Sequence, residues 1–408
     1  MSLQFFAPAP RGLEGVLAEE MQNLGASSIQ EVPGGVSFSG ENDLVYLANL
    51  YSKIATRILL RLDSGQYRDE KDIYDLLYDI DWLVWFDPAC TIKVSVTAIR
   101  SPLRSLDFIT LKIKDAVCDR FRDETGVRPS VDVREPDIRI HVFLQENEIV
   151  VYLDTSGEPL YKRRGRPGAH LAPVKENLAA GILHLIGFQP GIALIDPMCG
   201  GGTFLIEAAD WSLNIAPGIH RHFAFEKLHG FDTEYWTSLC EKAKLAQKEA
   251  TTLPIFGSDR YGDVLKIAKQ NLEAADLLGV VTLHQANVLE LKRPYEKAIV
   301  IMNPPYGVRL SDQETDDAFY HELGNRLKHH YGGCQVWILT PDLTLPEKIR
   351  LKPKRRIPIF NGNIECRIFG FDMVDGSFRR ERKAENPALD DQQIDETKDI
   401  KITQQKSD

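Results

Sequence analysis

The order of apolar and polar positions divides the chain near its middle. In the first half, Gln4-Phe5-Phe6 starts a strand, and Leu13 to Leu24 carries apolar residues at helical spacing and stops at Gly25, a residue suited to a helix C-terminus. Gly35 to Phe38 returns to a strand, and Asn42 to Ile58 predicts a helix with Leu44, Leu47, Ala48, Tyr51 and Ile54 on one face. Ile73 to Trp85 is amphipathic, Thr91 to Ile99 alternates as a strand, and Thr110 to Arg122 predicts a helix with Ile113, Ala116, Val117 and Phe121 on its apolar side. Ile138 to Phe143 and Ile149 to Leu153 are strands joined through a turn at Glu146-Asn147-Glu148. A small α+β unit over residues 1–42 and an interleaved α/β module over 43–155 are expected, followed by a polar, basic linker over 156–170.

The second half repeats strand and helix. After a helix over Lys175 to Ile186, buried strands are predicted at Ile192–Ile195, Pro254–Gly257, Val280–Leu283, Ala298–Met302 and Gln335–Leu339. Helices over Thr203–Asn214, Asp263–Leu277 and Asp316–His330 separate them, with a mostly helical insertion between Ala216 and Thr252. Arg356–Phe360 and Cys366–Phe371 read as a closing antiparallel pair. Alternating elements of this kind build an α/β fold with a mostly parallel, doubly wound sheet, here over 171–380. Residues 381–408 are polar and read as a disordered tail.

Composition narrows the class. A chain of 408 residues with 43% hydrophobic and 26% charged positions suits a globular protein of two or three domains. No apolar run reaches the length of a membrane span, and Met1 to Pro10 lacks the pattern of a secretion signal, so a cytoplasmic protein is expected. The six cysteines are scattered with no Cys-x-x-Cys pair, which argues against a zinc site and a disulfide framework. Net charge is −10, which would disfavour nucleic acid if it were uniform. It is not. Lys162, Arg163, Arg164 and Arg166 cluster, as do Arg350, Lys352, Lys354, Arg355 and Arg356, and bases including Lys112, Lys114, Arg120 and Arg122 outnumber acids between Lys93 and Arg134. Each cluster has a plain reading as a solvated face; together they make a phosphate-binding track a reasonable expectation.

Two motifs carry candidate chemistry. Ile299 to Met302 ends at Asn303-Pro304-Pro305-Tyr306-Gly307, a strand end where open α/β sheets place their sites. Taken alone, the prolines fit a rigid loop or a ligand for a proline-binding domain. As a site, the corner suits a flat base with an exocyclic amine: Asn303 and the Pro304 carbonyl accept its hydrogens, and Tyr306 stacks on the ring. Upstream, Asp196-Pro197-Met198-Cys199-Gly200-Gly201-Gly202-Thr203 lies between the first strand and its helix. Leu205 stands where a dinucleotide fingerprint wants its third glycine, and no Gly-Lys-Ser/Thr of a P-loop is present. An acid followed by a glycine turn instead suits a ligand with an ammonium group and no phosphate, such as S-adenosylmethionine. Asp259 at the second strand end suits ribose hydroxyls, and Asn287 after the third suits an adenine edge. Each has the alternative role of helix cap or turn former. Cys199 is a candidate nucleophile, but its place is the cofactor loop rather than the base pocket.

On these residues the chain resembles the class I S-adenosylmethionine-dependent N-methyltransferases. Asp154-Thr155-Ser156-Gly157-Glu158-Pro159-Leu160, Lys162-Arg163-Arg164-Gly165 and Ala172-Pro173-Val174-Lys175-Glu176 narrow the resemblance to THUMP-domain RNA methyltransferases, in particular the bacterial large-subunit ribosomal RNA guanine-N2 enzymes. The resemblance implies a ferredoxin-like N-terminal piece, a THUMP module that binds RNA, and a Rossmann-like catalytic domain with a seven-stranded sheet. It implies a substrate in 23S ribosomal RNA or a large-subunit precursor, and a monomer or homodimer without metal or membrane. Asn287 departs from the acid common in relatives, and the second methyltransferase domain of some relatives is not expected here. An adenine-N6 methyltransferase acting on DNA or RNA shares Asn-Pro-Pro-Tyr, and a non-catalytic RNA-binding ribosome-assembly protein is a third reading.

Overall fold

A computed structural model describes residues 2–164, 174–304 and 313–374, with the side chains of 313–316 set aside. The first half contains β1 (Leu3–Pro8), α1 (Glu14–Asn23), β2 (Ser27–Val32), β3 (Gly35–Gly40), α2 (Asp43–Tyr51), β4 (Leu59–Gln66), α3 (Glu70–Asp79), β5 (Ile92–Ile99), α4 (Leu106–Thr125), β6 (Ile138–Gln145) and β7 (Glu148–Asp154). These seven strands form one sheet in the order β2-β3-β1-β4-β7-β6-β5. Strand β4 makes it continuous: Phe5 and Phe6 pair with Leu60 and Leu59 on one side, and Leu59 to Gln66 pair with Asp154 to Glu148 on the other. Its sequence, half polar and carrying a glycine, gave no local strand signal.

Helix α2 stops seven residues short of the expected Ile58, and Glu20 is the cause. Its half-buried carboxylate accepts the backbone N–H groups of Lys53 (2.7 Å) and Ile54 (3.3 Å) and the Ser52 hydroxyl (2.6 Å). Those donors are drawn out of a helical path, and Ser52 Oγ then accepts the Ala55 N–H at 3.0 Å. Helix α4 is longer than its apolar stripe because both ends are capped. Ser105 accepts the Phe108 N–H at 3.3 Å, and Gly126 closes the helix in the left-handed region at φ 77°.

The second half contains α5 (Glu176–Leu185), β8 (Leu194–Asp196), α6 (Thr203–Ser212), α7 (Thr233–Leu245), β9 (Ile255–Asp259), α8 (Gly262–Ala274), β10 (Thr282–Gln285), β11 (Ile299–Met302), α9 (Gln313–His330), β12 (Gln335–Thr340), α10 (Leu345–Ile349), β13 (Arg355–Asn361) and β14 (Ile364–Asp372). Its sheet runs β10-β9-β8-β11-β12-β14-β13. The first five strands are parallel, and β14 runs opposite to both its neighbours, β12 and β13, so the expected α/β class with a mostly parallel seven-stranded sheet holds. The chain moves outward from β8 to β10, then returns to place β11 on the other flank of β8. That reversal puts the topological switch point between β8 and β11, where open α/β sheets bind ligands.

One hydrophobic core runs from Phe5, Leu17 and Leu50 in the first half through Leu178 and Ile182 on α5 to Trp337 and Ile368 in the second sheet. A second core lies under α3 and α4 around Trp82 and Phe121, and a third under α9 around Val300 and Tyr331. Residues 156–164, read above as a linker, are packed where they are described. Ser156 Oγ donates to Asn49 Oδ1 at 2.6 Å and accepts the Ile58 N–H at 2.8 Å, and the Arg221 guanidinium donates to the Pro159 carbonyl at 2.8 Å. Residues 165–170 of that expected linker, and the tail expected over 381–408, lie outside the described residues.

Candidate active site

The carboxyl edge of the second sheet gathers the candidate residues on neighbouring strands. Asp196 ends β8, and its register partner on β9 is Gly257, two residues before Asp259. On the other flank Ile195 pairs with Val300, so Asn303 lies two residues past the level of Asp196 as well. Asp259 and Asn303 therefore bracket Asp196 across the switch point.

The loop after β8 is held open by its own hydrogen bonds. Met198 N–H donates to Asp196 Oδ1 (3.2 Å), Gly200 N–H to Asp259 Oδ2 (3.2 Å) and Cys199 N–H to the Ser258 carbonyl (2.9 Å). Gly200 at φ 53° and Gly202 at φ 80° take the left-handed conformation that lets the loop turn into α6. Pro197 and Thr203, at either end of this turn, are buried. From α8, the Asn271 amide donates to the Gly201 carbonyl at 2.9 Å and fixes the loop from behind. Sequence reading missed Asn271; its only signal was a carboxamide on an otherwise apolar helix face.

Asp196 is 2% exposed, with no cation beside it among the described residues. Burial pushes its carboxyl up to about 8, against the Met198 N–H and with help from the Asp259 charge. A buried acid in that condition is suited to an ammonium ligand. Asp259 is half-exposed and accepts N–H groups from Gly200 and Tyr261 (3.0 Å), which leaves lone pairs for ligand hydroxyls. Asn287 Oδ1 accepts the Leu289 N–H at 3.1 Å, which leaves its NH2 and one oxygen lone pair for a ligand. Cys199 is buried and its thiol is pushed well up, by burial first and then by Asp196 and Asp259; this opposes the thiolate a nucleophile would need.

Asn303 carries the feature that stands out. Its Oδ1 is buried with no hydrogen-bond partner among the described residues, an uncommon and costly state for an amide oxygen. Pro304 beside it is buried. Pro305 and Tyr306 lie outside the described residues, as does Arg166.

The expected RNA-facing cations divide into two groups. On α4, Lys112 lies 5.6 Å from the Phe108 ring centroid, Lys114 pairs with Asp115 at 2.7 Å, Arg120 with Glu124 at 2.5 Å, and Arg122 with Asp119 at 2.9 Å. These sit at or near the surface, with acids of the same helix beside three of them. Arg163 and Arg164 require a correction. Arg163 is 4% exposed and paired with buried Glu207 on α6, and Arg164 pairs with Asp210 at 3.2 Å. Their charge is met by acids of α6 rather than held free for RNA. The overlooked signal was in α6: two acids, three residues apart, in a helix whose other positions are almost all buried. Among the described residues no group of three His, Cys, Asp or Glu side chains could hold a metal, and no helix is long and apolar enough to cross a membrane.

Comparison with known proteins yields three matched segments. Residues 4–59 match the RlmL ferredoxin-like domain, 67–154 the THUMP domain, and 163–369 the RMKL-like methyltransferase domain. A Synechocystis protein carrying a provisional RNA methyltransferase name is 34% identical over 90% of this chain and 96% of its own length. The ribosomal RNA large subunit methyltransferase K/L of Methylococcus capsulatus is 38% identical over 93% of this chain. The chain spans about half, 52%, of that relative's length. Among solved structures, SMU.472, provisionally a methyltransferase and crystallised with SAH, superposes with a TM-score of 0.83 at 29% identity over 92% of this chain and 99% of that one.

Proposed function

The chain belongs to the RMKL-like methyltransferase family, and from that premise we propose that it methylates an exocyclic base amine in RNA, namely guanine N2 of large-subunit (23S) ribosomal RNA, with S-adenosylmethionine as cofactor. The observation that carries the reading is the Asn303 Oδ1 at the switch point, buried without a hydrogen-bond partner among the described residues, beside a buried acid with no counter-ion among them. An acceptor buried without a donor is matched by an amine that brings one.

The residues present fit the cofactor. Asp196 takes the ammonium group, the Gly200–Gly202 turn allows close approach, Asp259 accepts ribose hydroxyls, and the Asn287 NH2 meets the adenine edge. When bound, S-adenosylmethionine supplies an electrophilic sulfonium methyl. The chain's own task is to present a poor nucleophile, because the lone pair of a base amine is delocalised into the ring. Asn303 Oδ1 and the Pro304 carbonyl accept the two amine hydrogens and favour a tetrahedral nitrogen whose lone pair is free. Tyr306 stacks on the ring and holds its plane. Positioning supplies most of the acceleration, and the arrangement calls for no strong general base. The base must be unpaired or flipped to reach this corner.

The test is transfer of labelled methyl to ribosomal RNA from a strain lacking the gene, followed by nucleoside mapping. N2-methylguanosine in large-subunit RNA is expected. N6-methyladenosine would move the assignment to the adenine reading. Absence of both transfer and calorimetric cofactor binding would leave an RNA-binding protein without catalysis.

A further inference from the structure

Arg350 to Arg356 holds five cations in seven residues and no acid, on a chain whose net charge is −10. All five are exposed, and among the described residues only Lys354 has an acidic partner, Asp372. The run leads into β13, the edge strand of the catalytic sheet. Successive strand residues face opposite sides, and Arg355 and Arg356 do so with aromatic support on each. The Arg355 guanidinium lies 5.6 Å from the Trp337 ring centroid, and that of Arg356 lies 6.0 Å from Phe369. At the far end of the strand, exposed Arg11 lies 4.3 Å from the Phe360 ring centroid while its carbonyl accepts the Phe360 N–H at 3.0 Å.

The direction of this row matters. Strand β13 is antiparallel to β14, which is antiparallel to β12, so β13 runs the same way as β12 and β11. Of the cations only Arg355 and Arg356 lie on the strand, with Arg355 level through Gly370 and Trp337 with Ile301, two residues short of Asn303; Arg350, Lys352 and Lys354 precede the strand, and Arg11 stands at its far, carboxyl end. Strand β13 stands three places from β11, or roughly 14 Å from the line of Asn303.

Charged residues on an edge strand commonly guard it against pairing with another chain. Here that protection exists without them. Pro358 offers no N–H, and residues 11 and 12 already cover the edge: a Cβ on Gly12 would meet the Pro358 carbonyl oxygen at 2.7 Å. Five like charges repel one another, which edge protection alone does not require.

We propose that the cationic edge from Arg350 to Arg356, continued by Arg11, is a track that grips backbone phosphates of the RNA flanking the nucleotide presented to Asn303. The proposal rests on the RNA methyltransferase reading above. Phosphate contacts of this kind position a substrate without reading its sequence.

The test is a full-length variant with Arg350→Gln, Lys352→Gln, Arg355→Gln and Arg356→Gln, leaving the Lys354–Asp372 pair in place. With unmodified large-subunit ribosomal RNA, the log–log dependence of affinity on salt is expected to lose about 0.7 of slope per phosphate contact removed. KM for RNA rises roughly tenfold near physiological salt, while kcat at saturating RNA and KM for S-adenosylmethionine hold. A parallel variant with Arg350, Arg355 and Arg356 changed to Lys keeps the wild-type slope and serves as the folding control. An unchanged slope and KM in the Gln variant overturn the proposal. So does self-association in sedimentation with RNA affinity intact, which would make the cations edge guards. Asn303→Ala separates the two levels of inference: it keeps the salt slope while losing transfer. A wild-type protein that neither binds nor methylates RNA would sink both.

Discussion

In the proposed mechanism two side chains decide the chemistry, and each gives a distinct expectation. Asn303→Ala removes an acceptor from the base corner but nothing from the cofactor loop. Cofactor affinity by calorimetry is therefore expected to stay within about twofold, while kcat falls by about two orders of magnitude, the scale seen when one transition-state contact is lost. Undiminished turnover would take Asn303 out of the mechanism. Asp196 makes a pH statement. Its folded value of about 8 stands above the usual 3.8, so between those values the folded, cofactor-free protein keeps a proton that the unfolded chain has released. The stabilisation is complete below about pH 4 and is lost as pH rises toward 8, by at most ~1.4 kcal/mol per pH unit. Asp196→Asn is expected to flatten the urea midpoint between about pH 5 and pH 8 and to abolish cofactor binding. At this scale the sequence was informative about place: Asp196 and Asp259 end their strands and Asn303 follows β11, where the apolar runs and turn chemistry predict them. The burial of Arg163 and Arg164 was not legible, because what neutralises them comes from α6, more than forty residues away.

Between elements, close fit replaces chemistry. The Arg163–Glu207 pair is almost wholly buried, so removing one member leaves a desolvated charge. Glu207→Ala should cost about 3–5 kcal/mol in chemical denaturation, whereas replacing both partners with apolar residues of similar volume should cost much less. A smaller effect with the single change would mean that water reaches Arg163. Gly218 tests how the insertion is seated. A Cβ there would sit 2.7 Å from the Asn49 carbonyl oxygen and 2.9 Å from Leu50 Cα, both backbone atoms of α2. Gly218→Ala is expected to lower stability by about 1–3 kcal/mol, read as a shifted midpoint with unchanged m-value. Periodicity revealed α5, α6, α8 and nearly every strand of the catalytic sheet. It overran α2, since Glu20 ends that helix from outside, and it passed over β2, β4 and α10. Strands β2 and β4 carry much polar sequence whose strand identity comes from the partners they pair with, and α10 is a single short turn.

The molecule as a whole shares more than its sequence segments suggest. Because Phe5, Leu17, Ile182, Trp337 and Ile368 belong to one core, the N-terminal piece and the catalytic half are expected to melt together in calorimetry. Removing residues 1–58 should strip the cover from Leu178 and Ile182 on α5 and leave a catalytic half that is insoluble or markedly less stable. A separate low-temperature transition for the N-terminal piece would contradict this. The two-half plan and the parallel sheet were legible from the alternation of apolar runs. The common core was not, because periodicity says which face is buried but not what covers it.

Strand β4 pairs with β1 of the N-terminal piece on one side and with β7 of the THUMP segment on the other. A chain joined through such a strand has no slack at that joint. If one stretch of RNA is grasped there and another is offered to the catalytic corner, the distance between them is set by the protein like the gap of a fixed gauge. Many identical guanines would then be told apart by their separation from the grasped stretch, with no need to read the letters beside them.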